Sequence, residues 1–364
     1  MKTPNVDFVG NVPRWATISA ALLLLALGGL LVRGLDLSIE FVGGTSFTMS
    51  EVAPETTSGE LREAAEDAGA EDVIAQLQTD GDIAVGAVVR TDAMEPGSAQ
   101  ERAVRDALLE AAQTDVGELS TDFVGPAWGE RITRQAIEAL LVFLVVVTIY
   151  ISLRLEFKMA MAALVALAHD LIITVGLYAL IGFTVSPATV IGILTILGYS
   201  LYDTVVVFDR VKENSISLGE PGMRHYAELV NASLNGVVWR SINTSVTSLL
   251  PIGALLLIGG QVLGATTLQD LALALFIGIG VGIFSSLFVA GPFFSWLRMR
   301  DPDQQKLKAK ADARDAGEPL DDDDDAPVPA AAEPDVAPGS PEARAPITTE
   351  YVRGEGKRKK RRKR

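Results

Sequence analysis

The sequence predicts a helical membrane protein with six membrane-spanning helices and one small α+β domain between the first two. Apolar residues make up 49% of the 364 residues, and the mean hydropathy is +0.30. They are gathered in long blocks, which is typical of membrane spans. Between the first two blocks, strand and helix patterns alternate. These observations together predict the fold class.

Six segments are long and apolar enough to cross a bilayer, which takes about 20 residues of helix. They are residues 14–32, 134–153, 159–181, 187–208, 240–260 and 269–297. Because Lys2 and Arg14 precede the first segment, a signal peptide is the alternative for it. No small-x-small cleavage pattern follows the apolar run, and Arg33 comes directly after it. We therefore predict a membrane helix there.

Lysine and arginine residues flank alternate ends of the six segments, and the positive-inside rule then orients the chain. The cationic side holds Lys2, Arg14, Arg154, Lys158, Arg210, Lys212, Arg224, Arg240, Arg298 and Arg300. The connections 182–186 and 261–268 contain neither residue type. Both termini are therefore predicted to be cytoplasmic. The cytoplasmic parts are then residues 1–13, 209–239 and 298–364, and the outer part is 33–133.

The outer part has the element order of a small α+β domain. Its first run, DLSIEFVGGTSFTMS, predicts a strand, and Ser58 is a candidate N-cap for a helix that Gly69 closes. Two strand-like runs flank Asp80-Gly81, a pair typical of a hairpin turn. A second helix near 98–113 and a strand near 118–124 follow. The order β-α-β-β-α-β predicts a ferredoxin-like domain.

The C-terminal residues 298–364 lack the apolar content needed for a core, so we expect a disordered tail. The tail contains an acidic run from Asp321 to Asp325 and ends in KRKKRRKR at 357–364. The basic end is either a solvated terminus or a contact for anionic lipid or for the ribosome through its RNA.

Several classes of site have no signature in the sequence. The absence of cysteine excludes disulfides and thiolate metal sites, and His169 and His225 are too few for a histidine-built metal centre. Neither a GxxxxGK[ST] phosphate loop nor a GxGxxG strand-to-helix turn occurs. We therefore expect no cofactor, no nucleotide-driven step and no enzymatic centre.

Ionisable residues inside the apolar segments are the candidate functional residues. A carboxylate at the centre of a spanning helix costs about 2.5–3.5 kcal/mol on insertion scales. Asp203 lies about 24 Å from the outer end of the fourth segment at Pro187. Thr195 and Tyr199 precede it at successive spacings of four residues. The three share one stripe, which we expect to face protein or water.

Arg240 lies at a similar depth in the fifth segment, about 28 Å below the outer face. Thr244 and Thr247 continue its helix face, and the guanidinium can reach Asp203 from there. Arg240 and Asp203 either belong to a proton path or form a structural ion pair. A third alternative is an arginine that snorkels to the inner headgroups.

The third segment adds His169 and Asp170, about 17 Å below its outer end. They form either a buried, satisfied pair or an extension of the polar route to Asp203 and Arg240. Burial and a nearby cation act in opposite directions on a carboxylate, so such a group can load and release a proton. We predict a proton path made of Asp170, His169, Asp203 and Arg240.

Five motifs resemble the SecF family of bacterial protein export. They are DLSIEFVGGTSF (36–47), FVGP (123–126), ALAHDLIITVG (166–176), GYSLYDTVVVFDRVKEN (198–214) and WRSINTSVTSLLP (239–251). Together with the six-span layout, the resemblance covers about residues 5–298. The short outer part favours SecF over its partner SecD.

The resemblance implies one half of an RND-type transporter, with SecD as the other half. Such a pair uses the proton motive force at the SecYEG channel to move unfolded preprotein that SecA has pushed in, and YajC is a further expected partner. The implied location is the bacterial inner membrane. The resemblance also implies that Asp203 and Arg240 are the essential proton-path residues, and that His169 and Asp170 match the family's span-three pair.

Two features depart from the family pattern. Tyr202 stands where Asn is frequent, and the loop 209–239 is a few residues longer. From the residues alone, two other functions remain open: half of an RND-type exporter of small molecules or lipids, and a passive scaffold. The small outer part without a rich aromatic cluster argues against the exporter. A scaffold would tolerate replacement of Asp203.

Overall fold

The computed structural model describes residues 6–80, 83–218, 225–258 and 266–316. Its long helices are α1 (Val12–Arg33), α5 (Pro126–Arg154), α6 (Phe157–Ile181), α7 (Pro187–Asn214), α8 (Tyr226–Leu257) and α9 (Thr266–Ser285). Five stretches are long and apolar enough to cross a membrane: Val12–Arg33, Pro126–Arg154, Phe157–Ile181, Pro187–Ser217 and Thr267–Arg298. The chain is therefore a helical membrane protein with five candidate spans among its described residues.

The predicted fifth span, 240–260, coincides with the second half of α8 but is not among these five stretches. This half of α8 carries Arg240, Asn243 and a series of hydroxyl side chains, which lower its hydropathy. The helix packs against both α7 and α9. Residues 259 and 260 lie outside the described part of the chain, so the count of six spans stays a prediction.

Local sequence sets where the helices begin. The Ser186 hydroxyl accepts a hydrogen bond from the Thr189 amide, and the Thr189 hydroxyl accepts one from the Ser186 amide. With Pro187 in the first turn, this capping box starts α7. Thr57, rather than the predicted Ser58, caps α3 (Ser58–Asp67), because Glu60 three residues later returns the hydrogen bond to the Thr57 amide.

Helices occupy more of the predicted cytoplasmic loop and tail than we expected. Because α7 continues to Asn214 and α8 begins at Tyr226, much of the predicted loop 209–239 is helical. After α9 the chain continues through a π-helical segment (Ser286–Ala290) and α10 (Gly291–Arg298). The prediction of disorder is wrong for Pro302–Ala316, which forms α11. An N-terminal proline and Asp303 favour a helix start there, and Ala311 is buried. The rest of the predicted tail lies outside the described residues.

The outer domain contains a four-stranded sheet. Its elements run β2 (Gly44–Met49), α3, β3 (Ile74–Asp80), β4 (Ile83–Thr91), α4 (Ala99–Ala112) and β5 (Leu119–Val124). The strands are ordered β3-β4-β2-β5, and all neighbours are antiparallel. The element order is thus the predicted β-α-β-β-α-β. The predicted turn at Asp80-Gly81 falls between β3 and β4, where residues 81 and 82 lie outside the described part.

The two faces of this sheet differ in polarity. One face packs on α3 and α4, and its shared core includes Phe47, Met49, Leu61, Ala87, Val89, Val104 and Leu108. The other face is mostly polar and carries Ser46, Thr48, Gln76, Gln78 and Arg90. With the N-terminal ends of α7 and α9, the polar face lines a cleft of about 680 Å³. The outer domain therefore faces the membrane helices with hydrogen-bonding side chains.

Two short strands link the outer domain to the helices. β1 (Asp36–Leu37) follows α1, and a short helix, α2 (Ile39–Val42), comes next. β6 (Thr184–Val185) lies between α6 and α7. The two strands pair in parallel.

Gly176 of α6 allows the backbones of α1 and α6 to approach each other closely. We expect Gly176→Ala to separate these helices and to lower the amount of folded protein in the membrane. The new Cβ would lie 2.3 Å from the Cβ and 2.5 Å from the Cα of Ala26, so the α1 backbone has to move. Overpacking of this kind costs about 1–3 kcal/mol.

Membrane abundance and the melting temperature in detergent measure this effect. Gly28→Ala on α1 is the control, since nothing lies within 4 Å of its added Cβ. Equal losses in the two variants would contradict the importance of the close contact.

Candidate functional site

The carboxylate of Asp170 is held where α6, α7 and α9 meet. Its Oδ2 accepts hydrogen bonds from the hydroxyls of Ser200 (2.5 Å) and Ser285 (2.8 Å). Asp170, Ser200 and Ser285 are all buried, and Asp170 and Ser285 have no exposed surface. A buried carboxylate that accepts two hydroxyl donors offsets part of the cost of its burial. Asp170 thus fixes the mutual position of three helices.

His169 is the third neighbour of this carboxylate. Its Nδ1 lies 3.3 Å from Oδ1 of Asp170, and its ring stacks on Phe284. Its Nε2 is buried without a hydrogen-bond partner among the described residues. Among the described residues, the ring therefore makes its polar contact through Nδ1 alone.

Asp203 is half-buried between α7 and α8. Its Oδ2 accepts a hydrogen bond from the hydroxyl of Ser241. The Arg240 guanidinium instead donates to the Tyr202 hydroxyl at 3.3 Å. Within the described parts of α7 and α8, no ion pair within 4 Å joins Asp203 to Arg240. Asp203 and Arg240 therefore do not contact each other directly, and Ser241, next to Arg240, makes the hydrogen bond to Asp203.

A small cavity lies beside Asp203 and Ser200. Its volume is about 30 Å³, and its lining includes Asp203, Ser200, Tyr199 and Thr244. A cavity of this volume has room for about one water molecule. Ser200 lines the cavity and also donates to Asp170, so it lies between Asp170 and the cavity that Asp203 lines.

Two residues of the predicted polar stripes, Thr195 and Thr247, do not line the cavity. Thr195 and Thr247 are exposed, and each donates its hydroxyl to carbonyls of its own helix. They satisfy their own polar groups within the helix. Of the four predicted supporting residues, the structure brings only Tyr199 and Thr244 to the cavity.

Sequence reasoning missed three serines at this site: Ser200, Ser241 and Ser285. Each was visible as a polar residue inside an apolar segment, and Ser241 directly follows Arg240. A further pair, Thr204 and Ser286, joins α7 to the start of the π-helical segment at 3.0 Å. Such π-helical turns often occur at functional sites.

The site offers no metal chemistry among the residues that the structure describes. No group of three or more His, Asp or Glu side chains there is arranged to hold a metal ion. What the arrangement can do is bind protons on carboxylates and pass them between hydroxyls and water.

The match to known proteins covers the same helices. The family model described as "Protein export membrane protein SecD/SecF, C-terminal" matches residues 104–300. The chain belongs to this SecD/SecF family. A SecF protein of Streptomyces coelicolor is 43% identical over 313 residues, which are 85% of this chain and 81% of the relative. Membership in the SecD/SecF family gives the chain a role in Sec protein export.

Longer family members contain the same region. The SecDF protein of Thermus thermophilus is 38% identical over 313 residues, which are 84% of this chain but 40% of the relative. A crystal structure of SecDF from that organism, described as a translocon-associated membrane protein, aligns with a TM-score of 0.71 at 33% identity. The alignment covers 82% of this chain and 39% of the SecDF chain. The chain therefore spans less than half the length of these SecDF relatives.

Proposed function

We propose that this SecD/SecF family member uses the proton motive force to promote the completion of preprotein translocation. The observation that supports this most directly is the polar route Asp170–Ser200–cavity–Asp203 inside otherwise apolar helices. Polar groups at such depth are costly, and in membrane proteins they mark ion or proton pathways. Moving one charge through 100 mV yields about 2.3 kcal/mol, which is enough to bias a conformational equilibrium.

The groups at the cavity support a proton as the species that moves. A carboxylate (Asp203) and the hydroxyls of Ser200 and Thr244 line it, and such groups can bind a proton or pass one on. In this proposal Asp203 binds and releases the proton, Arg240 tunes it electrostatically, and His169 and Asp170 complete the route. Preprotein is handled on the outer side and not within the route.

SecD is the proposed partner in the membrane. Tyr202 and Arg240 are exposed on one side of the α7–α8 pair, together with Thr247. Polar side chains at this depth need protein or water rather than lipid as neighbours. A second transporter half, as in the fused SecDF relatives, would cover them. We further propose six spans, the half-RND layout and a ferredoxin-like outer domain.

The remaining partners and the orientation are also proposals. Both termini would lie in the cytoplasm of a bacterial cell, with the protein in the inner membrane beside SecYEG, SecA and YajC. The basic end of the tail, residues 357–364, would contact anionic lipid or the ribosome. The charge distribution of the loops supports this orientation.

Export into inverted membrane vesicles tests the proposed function. Vesicles with SecD and this chain are compared with vesicles that contain SecD alone, each with and without a proton gradient. We expect a gradient-dependent increase in completed translocation only when the chain is present. An unchanged response to the gradient in its absence would overturn the proposal.

A further inference from the structure

One carboxylate joins the outer sheet to the membrane helices. Oδ2 of Asp36 accepts hydrogen bonds from Nε2 of Gln76 (2.9 Å), Nη2 of Arg90 (2.5 Å) and Oγ1 of Thr184 (3.0 Å). Gln76 and Arg90 lie on the adjacent strands β3 and β4, and Thr184 lies in β6 between α6 and α7. Asp36 therefore contacts both the outer sheet and the connection that leads into α7.

Backbone contacts reinforce this junction. Leu37 of β1 lies opposite Val185 of β6, and the Ser38 amide donates to the Val185 carbonyl at 3.0 Å. Nη1 of Arg90 donates to the Leu37 carbonyl at 2.9 Å. The Arg90 side chain is only 8% exposed, so its fixed fork of donors is held in one geometry.

The junction connects directly to the helix that carries Asp203. Thr184 lies three residues before Pro187, where the capped α7 begins. The helix then continues to Asn214 without an internal proline or break. A displacement of α7 at Asp203 is therefore expected to reach Pro187, about 24 Å away along the helix, and Thr184 just before it.

We propose that Asp36 is the positioning residue of a joint through which movement of α7 is passed to the outer sheet. The hydrogen bonds of Asp36 stay intact while Asp203 binds and releases protons, so the outer sheet moves together with α7. This inference rests on the proposed function, because it needs a gradient-driven movement of α7. It assigns the transmission to one carboxylate and its three donors.

Thr184→Val is the variant that removes the side-chain hydrogen bond between Asp36 and the connection that leads into α7. It removes the hydroxyl that contacts Asp36 and, at 3.3 Å, Oε1 of Gln76 from the helix side. It leaves the β-branched shape and the Asp36–Arg90 and Asp36–Gln76 hydrogen bonds within the outer domain. Replacement of Asp36 itself would strand a buried arginine and risk misfolding. We expect Thr184→Val to lower the gradient-dependent increment of export about tenfold or more, the range that one hydrogen bond to a charged group can account for. Export without a gradient should be unchanged.

Thr121→Val is the matched control, since Thr121 is exposed on β5 and makes no side-chain contact to the joint. A loss in this control equal to that in Thr184→Val would overturn the proposal. So would a full gradient-dependent increment in Thr184→Val.

A disulfide between β1 and β6 tests whether Thr184→Val acts by interrupting the transmission of movement or only by destabilising the protein. The chain has no cysteine of its own, so no other thiol of the chain competes when a Leu37→Cys, Val185→Cys pair is oxidised across β1 and β6. In the Thr184→Val background we expect the oxidised pair to restore the increment and the reduced pair not to restore it. The proposed joint would be overturned if the oxidised pair does not restore the gradient-dependent increment, or if the disulfide does not form. If the unsubstituted chain shows no gradient-dependent increment, the proposed function itself fails, and the joint fails with it.

Discussion

Asp203→Asn is expected to abolish the gradient-dependent part of export while the chain still assembles with SecD. The amide keeps the size of the side chain and an oxygen that can accept the Ser241 hydroxyl. It cannot bind and release a proton in the physiological range. Completion of a secretory substrate in inverted vesicles, with and without a proton gradient, measures the effect. The increment should fall to the level of vesicles that contain SecD alone.

A matched charge change on the same helix serves as the control. Asp209 lies six residues further along α7, where it pairs with Arg154 at 3.2 Å near the surface. An exposed ion pair of this kind contributes about 0–1 kcal/mol. Asp209→Asn should therefore keep the increment. If Asp203→Asn also keeps it, Asp203 is a structural partner of Ser241 and the passive-scaffold function becomes the better explanation.

Asp170→Ala is expected to destabilise the helix bundle severely. It removes the hydrogen-bond partner that the described structure shows for Nδ1 of His169 and deprives the hydroxyls of Ser200 and Ser285 of the carboxylate. Each buried polar group left without a partner costs about 1–3 kcal/mol, so a loss of about 3 kcal/mol or more is expected. The melting temperature of the purified chain in detergent and its abundance in the membrane measure this loss. Asp106→Ala, at an exposed position of α4, should have little effect.

The milder Asp170→Asn separates the two roles that the sequence left open. The amide keeps one oxygen acceptor for the serines but cannot titrate. A variant that assembles and loses only the gradient-dependent increment would place Asp170 in the proton route. A variant that melts early but, once assembled, keeps the increment would make His169–Asp170 a buried structural pair. An Asp170→Ala protein as stable as the unsubstituted chain would contradict the inferred network altogether.

Several features of the site follow from short stretches of sequence. The polar residue at depth in α7 and the arginine at a matching depth in α8 were both visible in the sequence. Helix rise and periodicity are local properties, so they give Asp203 and Arg240 similar depths without reference to the rest of the chain. The sequence does not show which of these side chains form hydrogen bonds with each other. Arg240 and Ser241 are adjacent, and either could reach the Asp203 carboxylate.

The sequence by itself determined the long apolar helices, the order of the outer domain and the presence of ionisable residues inside the membrane segments. Hydropathy, capping and periodicity act over a few residues, so they can be evaluated without a fold. Only the tertiary structure decided which groups meet. Ser285 reaches Asp170 across 115 residues and Thr184 reaches Asp36 across 148. Such contacts depend on how helices and sheet pack, and closing these long loops is favourable only when the whole fold forms.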